Sequence, residues 1–397
     1  MKTTLITAAM MAAATLATAQ PAAQDSIAKP APQAEKHHGC GGGCRKNLIN
    51  VHGFAMLGLQ AVSQDSEHTS SFDISLARLS VDGTTVASRA GEFFYKAQIQ
   101  VNGDVSDIGS SARLTDFFAE WRKFDFLHVT VGEFSIPFTL ESPLHPLDVG
   151  FADNAAPILK LVGYSDRSGQ RKSNGRDIGI DFEGDLFKMK DGHHFLHYAL
   201  SIVNGQGINT RDKDSKKNII FQANLSPVKP LKLSFSALEG SLMRTGTWLD
   251  DAGRECTGDV QLDQHRYAVG AEWSAPYLTF RAEYIHSTGF AFAKSENGSS
   301  TTDATIAPIG DKADGAYAMA LVPILRQTLP GRLRVKARWD LYRPSASMAT
   351  AQTTTQLGVD YWFTQKIGAA VEYSHANDRS LERHNYNYYD FQIQVRF

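Results

Sequence analysis

The last nine residues of the chain, Tyr389-Asp390-Phe391-Gln392-Ile393-Gln394-Val395-Arg396-Phe397, constrain its fold more than any other stretch. Tyr389, Phe391, Ile393, Val395 and Phe397 fall on one face, and Asp390, Gln392, Gln394 and Arg396 on the other. A period of two marks a strand with one apolar side. A strand of this kind at the end of a long chain, stopping on an aromatic residue, is what a bacterial outer-membrane barrel uses to close against its first strand. Such barrels repeat apolar-out, polar-in strands of about ten residues.

The pattern recurs along the chain, over 48–60, 71–82, 92–102, 114–122, 127–134, 176–183, 195–204, 218–225, 231–238, 266–274, 278–286, 316–325, 332–339, 356–363, 366–374 and 389–397. This predicts an all-β fold, a sixteen-stranded antiparallel transmembrane β-barrel. Two segments fit less well: 71–82 alternates irregularly, and 316–325 is apolar on both faces.

The connections give an independent check, because outer-membrane barrels alternate short periplasmic turns with longer external loops. The gaps 102–113, 138–175, 205–217, 239–265, 287–315, 342–355 and 376–388 are long and polar and fall on the external side. Those at 226–230, 275–277, 327–331 and 364–365 are short. Two gaps on the internal side, 83–91 and 184–194, are longer than the rule prefers. The parity puts both ends of the barrel in the periplasm.

Composition does not decide between a soluble protein and a membrane barrel. Apolar residues are 42% and charged residues 21%, and half of each barrel strand faces water. The formal net charge of −2 points to no nucleic-acid partner. Met1-Lys2, a short alanine-rich apolar run and Ala17-Thr18-Ala19 read as a secretory signal peptide over 1–19, with cleavage expected before Gln20. No cysteine follows the site, so a lipoprotein is not expected. Residues 20–47 are polar and without periodicity, and read as a flexible periplasmic leader ahead of a barrel spanning 48–397. Within the leader, His37-His38 and a Cys40-x3-Cys44 pair match zinc patterns poorly, and a local disulfide is the plainer expectation in an oxidising compartment. No metal or cofactor is expected.

At about sixteen strands side chains no longer fill a barrel, and a water-filled channel results. What narrows and charges that channel then sets its function. The longest gap, 138–175, combines Pro143, Pro146 and Pro157 with the apolar runs Val149-Gly150-Phe151 and Ile158-Leu159 and the basic residues Lys160, Arg167, Arg171 and Lys172. Its apolar content favours packing inside the barrel, as a long inward-folded third loop.

Three stretches of the chain resemble a known family. Val131-Gly132-Glu133-Phe134-Ser135-Ile136-Pro137-Phe138-Thr139-Leu140-Glu141, then Asn174-Gly175-Arg176-Asp177-Ile178-Gly179, then Asn204-Gly205-Gln206-Gly207-Ile208-Asn209 resemble, in order, the phosphate-selective porin O and P family. Thr139 stands where the family often has glycine. The resemblance implies a trimeric sixteen-stranded porin of the outer membrane whose third loop folds inward and whose basic residues guide anions.

The residues themselves give two readings of the charge. Arg332, Arg334, Lys336 and Arg338 form a column on one inward face, and with Lys96, Arg122 and Arg281 on other strands could make a cationic, anion-guiding track, since guanidinium groups match phosphate oxygens. The same face carries Asp116, Glu120, Asp181, Glu183, Glu283, Asp360 and Glu372, so a balanced wall of cross-strand pairs is the alternative. The function expected is passive diffusion of small polar solutes or small anions, with outer-membrane lipid as the other partner. A mainly structural or adhesive barrel acting through its external loops is the competing reading. An enzyme is not expected: His193, His194, His197, His265 and His286 lie near strand ends without a serine and an acid at triad spacing.

Overall fold

A computed structural model describes residues 48–65, 67–85, 87–101, 112–162, 174–250, 252–288, 291–292, 305–307, 312–324 and 332–397. The alternating segments form β1 (Leu48–Gln64), β2 (Glu67–Thr84), β3 (Glu92–Val101), β4 (Ala112–Phe124), β5 (Leu127–Ser135), β6 (Arg176–Lys188), β7 (His194–Val203), β8 (Asn218–Val228), β9 (Leu231–Leu249), β10 (Glu255–Ala275) and β11 (Leu278–Thr288). Two short pieces, β12 (Ala291–Phe292) and β13 (Thr305–Ala307), follow. Then come β14 (Lys312–Ile324), β15 (Arg332–Arg343), β16 (Gln352–Trp362), β17 (Ile367–Asp378) and β18 (Asn385–Arg396). Leaving β12 and β13 aside, sixteen strands pair antiparallel with their neighbours, β11 directly with β14. No helix among the described residues is long and apolar enough to cross a membrane.

The cylinder closes where the alternation of the terminal strand predicts. β18 pairs antiparallel with β1 from Phe54↔Arg396 to Ser63↔Asn387. The seam ends in a reciprocal bond, Gly53 N to Phe397 O at 3.0 Å and Phe397 N to Gly53 O at 2.9 Å. Closure gives each of the sixteen main strands two neighbours, as a sheet in hydrocarbon requires. Val131, Ile180, Val335, Leu357, Val371, Phe391 and Ile393 are exposed on the outside, whereas Gln98, Asp116, Ser201, Ser236, Lys336 and Asp360 are buried on the inside. Apolar groups exposed outside and polar groups buried inside are the reverse of a soluble core.

The irregularity of 71–82 has a local cause. Met56 pairs with Leu76 but Leu57 pairs with Ile74, so a bulge inserts one residue into β2. The exposed apolar positions change parity across it, from Phe72 and Ile74 to Leu79 and Val81. A second bulge in β4, between the pairs Gln98↔Asp116 and Ile99↔Leu114, shifts that strand in the same way.

Two expected connections differ from the structure. Most of 239–265 is strand: β9 and β10 stay paired from Leu231↔Trp273 to Leu249↔Glu255, making one long two-stranded hairpin. At its tip the Asp250 carboxylate accepts from the Ala252 and Arg254 amides, and the backbone bond from Arg254 heads the causes that hold its carboxyl below the usual range. The first external connection is also tight, with β1 and β2 paired as far as Gln64↔Glu67. Cys256 lies on β10 as a free thiol.

Candidate functional site on the inner wall

Between β5 and β6 the chain runs through residues 136–162, which include a 3-10 turn, Pro146–Asp148, and one short helix, α1 (Ala156–Leu161). Most of its large apolar residues are buried. Phe138, Phe151, Ala155, Ile158, Leu161 and Val162 form one cluster with Val203, Ile220, Leu238, Ala268, Ile285, Tyr317, Met319 and Leu321, which come from the inner side of β7 to β14. Leu147 packs separately against Phe54 and Met56 of β1. This explains why 316–325 is apolar on both faces: one face of β14 lies outward, and Tyr317, Met319 and Leu321 on the other cover this segment.

An irregular segment buried in this way carries backbone groups that its own secondary structure cannot pair, and each would be costly if left unmet. Charged side chains of the wall meet several of them. Glu283 accepts from the Leu140 and Glu141 amides at 2.7 and 3.1 Å, Glu372 from Ala152 at 2.9 Å, and Asp340 from Ala156 at 3.2 Å. In the opposite sense Lys336 donates to Gly150 O at 2.9 Å, Arg338 to Asp153 O at 2.8 Å, and Arg266 to Leu161 O at 2.9 Å. Arg396 of β18 pairs with Asp148 at 2.6 Å. Glycines on the inner face make room: a Cβ on Gly315 would lie 2.6 Å from Pro157 Cβ, and one on Gly270 3.1 Å from Leu140 Cδ1.

The basic column predicted on 332–338 is therefore not a row of free cations. Lys336 is 1% exposed, paired with Glu372 at 2.6 Å and Asp360 at 3.8 Å. Arg338 is bonded to Gln356 and paired with Asp340, with its guanidinium 4.5 Å from the Phe151 ring centre. Arg334 pairs with Asp360 at 2.8 Å, and Arg332 is exposed at the start of β15. On the other strands Arg281 is buried between Glu272 (2.7 Å) and Glu141 (3.6 Å), Lys96 meets Asp116 (2.7 Å), and Arg122 holds both oxygens of Glu120. Lys160 is half-buried on the last turn of α1. Arg167, Arg171 and Lys172 lie outside the described residues, as do Cys40 and Cys44.

Across from this docked segment a cavity of about 300 Å³ remains. One side is the inner wall of β2 to β6, with Arg78, Lys96, Asp116, Glu120, Arg176, Asp181 and Glu183. The other is the tip Pro143-Leu144-His145-Pro146. Asp116 sits between two cations, Lys96 at 2.7 Å and Arg176 at 3.0 Å. Sequence reasoning passed over Arg78 and Arg176 as wall cations. The β2 bulge disguises the parity that would have placed Arg78 inside, and Arg176 opens its strand right after a turn.

Residues 50–228 match the family model described as phosphate-selective porin O and P, a span that includes all three stretches on which the resemblance rested. No curated protein sequence matches the chain. Among solved structures it is similar to the anion-selective porin from Comamonas acidovorans, at 12% identity and a TM-score of 0.62, covering 89% of this chain and 100% of that one. The outer membrane channel DcaP of Acinetobacter baumannii is similar at 12% identity and a TM-score of 0.59, covering 88% and 97%. OmpT of Vibrio cholerae in its trimer form follows, at 11% identity and a TM-score of 0.57, covering 89% and 100%. At these identities the likeness to the structures is one of fold.

Proposed function

We propose that this chain, whose residues 50–228 carry the pattern of the phosphate-selective porins O and P, is an outer-membrane porin that lets small polar solutes diffuse through a water-filled bore. The carrying observation is a closed sixteen-stranded barrel with a polar inner wall and a polar cavity between that wall and residues 143–146. Segment 136–162 is the constriction, held against the wall of β7 to β18 so that the open path runs beside β2 to β6.

Selectivity follows from which charges a solute meets. Lys336, Arg338 and Arg281 are occupied in fixing the segment and its neighbours, so the column on β15 guides little. Arg78, Lys96 and Arg176 border the cavity and carry any preference for anions, tempered by Asp116, Glu120, Asp181 and Glu183 on the same wall. Assembly as a homotrimer is part of this reading, supported by the trimer form of the OmpT structure.

Planar-bilayer recording from the purified full chain tests the reading. Stepwise, ion-permeable conductance is expected, with a reversal potential in a salt gradient that reports the anion bias. Purified, correctly folded barrel that inserts and yields no conductance steps would end the channel assignment.

A further inference from the structure

We propose that Glu120, His128 and Glu183, joined by His197, form a binding site for a divalent transition-metal ion of the zinc class on the inner wall at the periplasmic end of the bore. It goes beyond the channel reading and rests only on how β4 to β7 are registered. His128 follows directly on the first residue of β5, after the tight turn from Phe124 to Leu127, and pairs across to Arg122 on one side and Glu183 on the other. Glu120 lies two residues up β4 on the same inward face.

The donor atoms already converge. One atom each from Glu120, His128 and Glu183 lies within 4.8 Å of the others. His128 Nδ1 is 3.2 Å from Glu120 Oε1 and 4.0 Å from Glu183 Oε1. Ligands held about 2.0–2.2 Å from a tetrahedral ion sit roughly 3.3–3.6 Å apart, so small rotamer adjustments suffice. Glu120 and Glu183 border the polar cavity, which provides a path of entry.

A second observation points to metal in particular. His197 on β7 presents Nε2 4.0 Å from Glu183 Oε2, while its Nδ1 lies 3.0 Å from Asp185. A carboxylate on one ring nitrogen fixes the tautomer that leaves the other free to ligate, the usual outer support of a metal-bound histidine. Two imidazoles with two carboxylates suit zinc, cobalt or nickel better than magnesium or calcium. Arg122 is the opposing feature, since it holds both Glu120 oxygens at 2.7 and 2.6 Å. Glu120 then ligates through the free lone pair of Oε1, which already faces His128, and Glu183 and Asp185 outweigh the guanidinium charge.

The test uses the full-length chain in detergent, carrying His37→Gln, His38→Gln, Cys40→Ser, Cys44→Ser and Cys256→Ser so that neither the leader nor the free thiol binds metal. Equilibrium dialysis against zinc chloride should give one zinc per chain, and His128→Gln and Glu183→Gln should each weaken binding about tenfold or more. Cobalt(II) should give a visible ligand-field band that disappears in the same variants. Each variant's barrel is verified by its shift on an unheated gel, which separates lost ligation from lost fold. No stoichiometric zinc in the parent, or zinc binding unchanged in folded His128→Gln and Glu183→Gln, overturns the site. Neither readout needs conductance, so the outcome is independent of the channel assignment.

Discussion

Lys336 and Glu372 form a 2.6 Å ion pair across an intervening strand, both side chains 1% exposed. Lys336 lies on β15 and Glu372 on β17, and the residue between them in register is Gly358 of β16. A Cβ there would sit 2.8 Å from Lys336 Cε and 3.0 Å from Glu372 Cγ. Glycine thus lets the two charges meet over the strand, and each then reaches the docked segment, at Gly150 O and the Ala152 amide.

Replacing that glycine should loosen the segment without removing a charge. Gly358→Val is expected to separate the pair, lower the temperature at which the folded barrel is lost on gels, and raise open-channel noise in bilayer recordings. Unchanged noise and mobility would mean that the pair does not hold 150–152 in place.

Removing one charge should cost more than removing both. Lys336→Met leaves Glu372 buried without its cation, a loss of about 3–5 kcal/mol by precedent. The double change Lys336→Met with Glu372→Met should recover much of that in unfolding by denaturant. Additive losses would contradict the pairing.

The apolar side of the segment makes a separate prediction. Ile158 of α1 is fully buried, so Ile158→Ala should destabilise packing by about 2–5 kcal/mol. Single-channel recording should show a larger or less steady conductance, because Ile158 joins α1 to the apolar cluster of the inner wall.

Selectivity should divide between the two sets of cations. Neutralising Arg78, Lys96 and Arg176 together to Gln is expected to lower anion-over-cation permeability about two- to fivefold, since a charge a few Å away in water is worth about 0.5–1 kcal/mol. Arg338→Gln should leave the reversal potential nearly unmoved while disturbing the contact with Asp153. The opposite ranking would restore the β15 column as the solute path.

What could be read from residues alone follows the membrane. Where a strand crosses lipid, one face must be apolar, and segments such as 332–339 and 389–397 declare themselves by alternation. Where that requirement lapses the pattern fades: 239–265 carries no regular apolar alternation, so Glu239 to His265 reads as loop although most of it is paired strand. Bulges hide parity in the same way, as at Ser75 between Ile74 and Leu76.

The charged column was visible but its role was not. Alternation puts Lys336 and Arg338 inside, yet their partners, Gly150 O and Asp153 O, are supplied by a segment 186 and 185 residues away in the chain. No local pattern encodes that meeting. The local hints were apolar: the content of 138–175, which favours packing inside the barrel, and the missing polar face of 316–325, which this segment covers.

The docked segment makes the cylinder unequal around its circumference. Beside β7 to β18 the shell is backed by a second layer, whereas much of the inner face of β2 to β6 borders the cavity instead. Bending resistance rises steeply with thickness, so lateral stress in the bilayer should flex the unbacked arc first. Changes of pore width under tension should therefore respond to substitutions in β3 and β4 more than to those in β14 and β15.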